Sequence, residues 1–249
     1  MFAYRSVPSL IPGDGCQLEE FEDFFVGCNC LDVCSAASRC SCFFFFINIY
    51  DVYENNNSIR ESAVELPILE CSTSCVCSNW SHPCSNRCVQ FGPQLPLEIF
   101  LTPEKGFGLR CKDSVQKGQF IAEYAGEVIG PFEVEKRTLE NCLNNYIFTT
   151  KVRFKILFFY IDARHYGNVA RFINHSCEPN LDIVLLRIGT PVVHVALFAN
   201  RNIAKFEELT YDYGLSSCSK SNSEECPRKC LCGSLGCKGF LPFSLRDPS

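Results

Sequence analysis

The sequence predicts a mostly β fold with few helices, flanked by two cysteine-rich pieces that metal ions stiffen. Three observations carry this expectation. Short strand-like runs recur in the middle of the chain, at Leu97–Leu101, Gln119–Tyr124, Tyr146–Thr150, Lys155–Ile161 and Val192–Phe198. Glycines at 106, 108, 118, 126, 130, 167 and 189 punctuate that stretch and keep its elements short. Cysteines crowd its two sides: of 19 in the chain, eleven fall between Cys16 and Cys88 and five between Cys218 and Cys237.

Composition divides the chain in order. Residues 1–27 carry Pro and Gly and little periodicity, and read as a peripheral lead-in. Residues 28–92 are cysteine-dense, with too few aliphatic positions for a core of their own. Residues 93–214 hold the strand-like runs and one expected helix, Pro131 to Leu143, where Pro near the start precedes the mixed-charge run VEKRTLENCL. Residues 215–229 form a Ser-rich linker, and residues 230–243 the second cysteine cluster.

Several function classes are disfavoured at this level. The net charge of -5 argues against a broad basic surface for nucleic acid, so no direct sequence-specific nucleic-acid binding is expected; it suits a basic partner. No apolar run approaches the roughly 18 residues that span a membrane; the longest, Phe43 to Tyr50, is far shorter. The start, MFAYRSVPSLIPGDG, lacks the basic and apolar regions of a signal peptide, and the cysteine count is odd. Clustered thiols in a reducing compartment point to zinc rather than disulfides.

The first cluster reads Cys28-x-Cys30-x3-Cys34-x5-Cys40-x-Cys42, then Cys71-x3-Cys75-x-Cys77-x6-Cys84. Nine thiolates satisfy three tetrahedral zinc ions if three of them bridge. Such a cluster is anionic, and Arg39 and Arg87 lie close enough in sequence to offset its charge. All-thiolate sites leave no open coordination position, so the role is structural. This five-plus-four pattern resembles the pre-SET region of the SET-domain histone lysine methyltransferases. It departs in its last gap, six residues (SNWSHP) where the family usually has three, and in the apolar segment FFFFINIYDVYENNN, which reads either as an inserted strand or as an error in the coding sequence.

Three further motifs carry the resemblance. Lys105-Gly-Phe-Gly-Leu-Arg110 is similar to the KGWGLR-type cofactor segment, with Phe107 where Trp is more usual. Gly118 to Glu127, G-Q-F-I-A-E-Y-A-G-E, matches a strand pair of the family. The string R-F-I-N-H-S-C-E-P-N, Arg171 to Asn180, and the string E-E-L-T-Y-D-Y-G, Glu207 to Gly214, resemble the two segments that thread through each other at the active site.

The resemblance implies a β-clip SET core with a pseudoknot, flanked by a triangular pre-SET zinc cluster and a post-SET zinc tail. It implies S-adenosyl-L-methionine as methyl donor, contacted by Lys105, Gly106, Phe107, Tyr146, Arg171, Asn174 and His175. It makes Tyr213 the catalytic tyrosine, with Tyr211 at the position that varies between Phe and Tyr. Cys230, Cys232 and Cys237 are one ligand short of a tetrahedral site; by resemblance Cys177 completes a fourth zinc. Cys16, Cys88, Cys111, Cys142, Cys218 and Cys226 are then bystanders. The expected partner is a histone tail, most naturally H3, in chromatin; the expected location is the nucleus and chromosome; products are mono- and dimethyl-lysine. A competing class keeps the fold as a chromatin-binding module without turnover. The intact Asn174, His175, Tyr211 and Tyr213 weigh against it.

Overall fold

The computed structural model describes residues 4–44, 51–54, 58–61, 68–140, 146–152, 157–215 and 228–242. Its strands are β1 (Arg5–Ser6), β2 (Ile11–Pro12), β3 (Ile68–Glu70), β4 (Leu97–Leu101), β5 (Phe107–Cys111), β6 (Phe120–Glu123), β7 (Glu127–Ile129), β8 (Ile147–Val152), β9 (Leu157–Asp162), β10 (Tyr166–Gly167), β11 (Asn174–His175), β12 (Leu181–Ile188), β13 (His194–Ala199) and β14 (Thr210–Tyr211). Two α-helices accompany them, α1 (Ser41–Phe44) and α2 (Pro131–Glu140). Among the described residues no helix is long and apolar enough to cross a membrane.

Two four-stranded sheets dominate, in the orders β3-β12-β13-β6 and β2-β7-β9-β8. Strand β13, His-Val-Ala-Leu-Phe-Ala, is buried at every position. It lies between β12 and β6, and its alternate residues enter two cores, Ala196 and Phe198 one and Val195, Leu197 and Ala199 the other. Both of its faces are covered, so after His194 its sequence is a continuous apolar run rather than an alternation. Leu109 of β5, Ile121 of β6, Ile161 of β9 and Leu197 of β13 are each 0% exposed and meet in one core cluster. This cluster also takes in Tyr211 of β14, so the candidate site sits on the main core.

The cysteine-rich region has no core apart from the sheet. Its cysteines share a cluster with Val184 and Leu186 of β12 and Ala196 and Phe198 of β13. The joint is β3, which pairs in parallel with β12, Ile68 opposite Leu186. Glu70, at the end of β3, is fully buried; its carboxylate accepts from Tyr53 Oη at 2.7 Å and from the Cys88 and Val89 amides at 2.8 Å each. A buried carboxylate is tolerable only with such donors. Tyr53 also stacks on Phe198, ring centroids 6.4 Å apart. Phe43, Val52 and Tyr53, the described buried residues of FFFFINIYDVYENNN, join the shared core. The segment's described parts form the end of α1, with Phe43 buried, and the buried pair Val52 and Tyr53. Tyr53 makes a single β-bridge to Ile59 rather than joining a longer inserted strand; residues 45–50 and 55–57 lie outside the described residues.

The expected helix forms from Pro131, which suits a first helical position because it lacks an N–H, and runs to Glu140; residues 141–145 lie outside the described residues. Arg137 fastens it to the second sheet through Glu127 and Asp162, each at 2.9 Å, and pairs within the helix with Glu133 one turn back, also at 2.9 Å. Those three carboxylates, outweighing burial, hold the guanidinium firmly in its charged form.

Candidate active site and metal centres

The first cysteine cluster assembles as the spacing requires. Cys28, Cys30, Cys34 and Cys40 have mutually close sulfurs, as do Cys34, Cys71, Cys77 and Cys84, all within 4.8 Å. Two further quartets, Cys28, Cys40, Cys42 and Cys71 and Cys28, Cys71, Cys75 and Cys77, overlap these, and Cys42 and Cys75, one from each, are 3.6 Å apart. Cys84 reaches its quartet despite the six-residue gap. Val76–Asn79 coil into a 3-10 turn, Trp80 stacks on His82 at 5.0 Å, and His82 Nε2 meets the Asp32 carbonyl at 3.1 Å. The extra residues are taken up on the surface. Arg87 donates to Cys77 Sγ at 3.7 Å, whereas Arg39 is exposed and holds a left-handed backbone, φ 53°. Nine soft donors packed this closely, Cys28 to Cys34 at 3.6 Å and Cys28 to Cys71 at 3.9 Å, suit zinc.

Four more sulfurs converge at the other end. Cys177, Cys230, Cys232 and Cys237 also lie within 4.8 Å of one another, and Cys177 Sγ receives the Lys238 amide at 3.4 Å. Of the expected bystanders, Cys88 and Cys111 are buried in the core and Cys16 packs beside it. Cys142, Cys218 and Cys226 lie outside the described residues.

The candidate active site is built where β11 and β14 pair in parallel, Asn174 opposite Thr210 and His175 opposite Tyr211. Segments far apart in sequence are joined there. Asn180 locks them: its side chain accepts from the Thr210 amide at 2.8 Å and donates to the Glu208 carbonyl at 2.8 Å. The loop before β5 closes the same corner. Gly106 turns it with φ +73°, and a Cβ there would meet nothing within 4 Å, so the backbone stays open to a ligand. Gly108 is needed for space, since a Cβ would fall 2.9 Å from Thr102 Cγ2.

His175 is 4% exposed and its two ring nitrogens are distinguished by their partners. Nδ1 accepts from the Tyr213 amide at 3.2 Å, and Nε2 faces Cys177 Sγ at 3.4 Å. A neutral imidazole with its proton on Nε2, donating to a thiolate, satisfies both. Burial, only partly countered by Asp212, pulls its pKa below the usual value, in agreement with a neutral ring.

Aromatic rings line the neighbouring space. Tyr211 and Tyr213 are 4.7 Å apart, Phe148 lies 6.2 Å from Tyr211, and Tyr124 lies 5.4 Å from Phe148. The Tyr213 hydroxyl donates to the Ile173 carbonyl at 2.9 Å. Burial pushes the phenols of Tyr124, Tyr211 and Tyr213 well above their ordinary pKa, so all three are protonated at neutral pH. Arg171 stacks on Tyr146 at 4.1 Å and on Phe172 at 5.0 Å, and Tyr4 covers it at 4.9 Å. Phe107 is 59% exposed, with its ring edge-on to Phe172. Lys105 pairs with Glu208 at 2.5 Å, and Asn174 Nδ2 donates to the Phe107 carbonyl at 3.1 Å.

This threaded pairing, with Asn-His on one strand and Tyr-x-Tyr leaving the other, decides the family. The chain belongs to the SET-domain histone-lysine methyltransferases. The SET domain family matches residues 106–214. A probable histone-lysine N-methyltransferase, set-23 of Caenorhabditis elegans, is 44% identical over 97% of this chain and 97% of its own length. The methyltransferase domain of human SETMAR superposes with a TM-score of 0.83 at 35% identity, covering 96% of this chain and 89% of that one. The solved structure of KRYPTONITE with DNA, an H3(1-15) peptide and SAH matches with a TM-score of 0.76 at 30% identity, covering 96% of this chain and 47% of that one.

The SET chain thus brings all seven expected cofactor residues and both tyrosines to one region. Sequence reasoning gave no role to Glu208, Asn180 or Tyr124, though all three stand inside the quoted motifs.

Proposed function

We propose that this SET protein methylates lysine side chains of histone tails in chromatin, H3 among them, with S-adenosyl-L-methionine as donor and mono- and dimethyl-lysine as main products. The observation that carries the reading is the meeting of Asn174 and His175 with Tyr211 and Tyr213 beside the open Gly106 loop. Support for the substrate comes from the H3 peptide held by a relative of the same fold.

Bound S-adenosylmethionine supplies an electrophilic methyl group on a sulfonium. Lys105, Gly106, Phe107, Tyr146, Arg171, Asn174 and His175 hold it. The chain's own task is the lysine. A free lysine, pKa near 10.4, is less than about 0.1% neutral at pH 7. The rings of Tyr124, Phe148, Tyr211 and Tyr213 strip it of water, which favours the uncharged amine. The Tyr213 hydroxyl gives its one proton to Ile173, so its oxygen presents only lone pairs to the amine and orients it in line. A phenol with a raised pKa is an acceptor here and not the base. The lysine proton leaves to solvent.

Four zinc ions accompany the fold in this reading. Cys28, Cys34 and Cys71, central to the overlapping groups of close sulfurs, would bridge; Cys30 with Cys40, Cys42 with Cys75, and Cys77 with Cys84 would be terminal pairs. Cys177 with Cys230, Cys232 and Cys237 holds the fourth ion and pins the tail beside His175. The protein then works in the nucleus, on the chromosome.

The test is purified protein, mixed histones and S-adenosylmethionine, read by mass spectrometry. Methyl groups on histone lysines are expected. A protein that binds the cofactor yet modifies no histone would return it to the class of chromatin-binding modules.

A further inference from the structure

Glu208 is the side chain on which the three active-site segments meet, and no role in the reading above uses it. One carboxylate oxygen, Oε2, takes Lys105 Nζ at 2.5 Å; the other, Oε1, takes Asn174 Nδ2 at 2.9 Å. Its backbone forms a bridge with Arg110 of β5, and its carbonyl accepts from Asn180. The ion pair is largely covered, side-chain exposure being 18% for Lys105 and 23% for Glu208.

The consequence lies in the Asn174 amide. Its nitrogen faces two groups, the Glu208 carboxylate and the Phe107 carbonyl, and both can only accept. The NH2 end alone can satisfy both, so the amide cannot flip. Both of its hydrogens are committed, and Oδ1 is presented as an acceptor. An acceptor at that place selects a ligand group that donates, an amine or ammonium. S-adenosylmethionine and its demethylated product both carry one on the amino-acid end.

We propose that Glu208 is a positioning residue for the cofactor: it fixes the Asn174 amide so that Oδ1 receives the cofactor's ammonium, and it anchors Lys105 in the loop that borders the same site. This rests on the reading of the site as a cofactor site. Neighbouring Glu207 has a different task, pairing with Arg201 at 2.6 Å on the outside.

The test measures binding of S-adenosylhomocysteine and of its desamino analogue to the zinc-loaded full chain by calorimetry. For Glu208→Ala, which releases the amide and Lys105, affinity for S-adenosylhomocysteine should fall about tenfold or more, while the desamino analogue binds it and the unmodified protein with similar affinity. Glu208→Gln keeps an acceptor for Asn174 and loses the charge on Lys105; it should fall only about threefold, and it carries the test if the alanine variant does not fold. Equal binding of S-adenosylhomocysteine by the unmodified protein and both variants would overturn the assignment. So would an equal loss for both ligands, since that reports a general structural role. Failure of the unmodified protein to bind either ligand would overturn the cofactor-site reading itself.

Discussion

Replacing Tyr213 by Phe removes one oxygen from a buried corner and isolates its part in turnover. The hydroxyl stands 2.9 Å from the Ile173 carbonyl and projects from a ring 4.7 Å from Tyr211. Its loss leaves the lysine nitrogen without an acceptor at the moment positive charge develops there. A hydrogen bond to a charged group contributes roughly 1.5–3 kcal/mol, which translates to a fall in kcat of about 10- to 150-fold. Cofactor affinity should hardly move, because the neighbouring His175 interaction uses the Tyr213 backbone amide. The assay is methyl transfer to an H3 peptide at saturating cofactor, from pH 7 to 9. The kcat/KM for peptide should rise with pH in both proteins, in parallel, as lysine loses its proton. The raised pKa of Tyr213 keeps its own ionisation above that window. Turnover by Tyr213→Phe close to that of the unmodified protein would refute the orienting role. An inflection near neutral pH that disappears in the variant would refute the claim that the phenol is not the base.

Tyr211→Phe should shift products toward trimethyl-lysine without abolishing activity, because a water held by that hydroxyl obstructs a dimethylated amine by about 1 kcal/mol; efficient trimethylation by the unmodified protein, seen by mass spectrometry, would contradict this. His175→Ala should abolish cofactor binding yet leave the zinc content unchanged. Although Nε2 touches Cys177 Sγ, an outer contact shifts metal affinity only about 10–100-fold, small beside a structural zinc site. Metal analysis of the reduced protein should give four zinc ions per chain; one or none would sink the ligand assignment. Cys177→Ser should lower that to three and cut activity more than it lowers the thermal midpoint, since its site ties the tail to the active corner.

The sequence was legible where chemistry depends on spacing. Cysteine intervals pointed to the nine-thiol cluster, the family resemblance added Cys177 to the second one, and the two long strings pointed to the residues that meet where β11 and β14 pair. Strand β4 falls at the expected residues, and β13 starts two residues later than its apolar run. The paired strands β1, β2, β10, β11 and β14 have two residues each. No periodicity can be read from two residues, and each pairs with a segment distant in the chain. Glu207 and Glu208 look alike as letters; only the fold brings one to Arg201 and the other to Lys105 and Asn174. The apolar segment after Cys42 suggested an extra strand because its apolar residues were plain, whereas the packing of Tyr53 on Phe198 was not.

The parallel pairing of β3 with β12 has a consequence for biosynthesis. Cys71 leaves the ribosome more than a hundred residues ahead of Leu186, whose strand covers the cysteine-rich region. At about 5–20 residues per second, the thiols wait on the order of ten seconds before their lid exists. During that interval the nascent chain exposes nine closely spaced sulfurs to oxidants and to whatever metal is free. Zinc supply and translation speed should therefore set the yield of correctly assembled protein, and chaperone protection of the emerging N-terminal region should matter more than the stability of the finished fold.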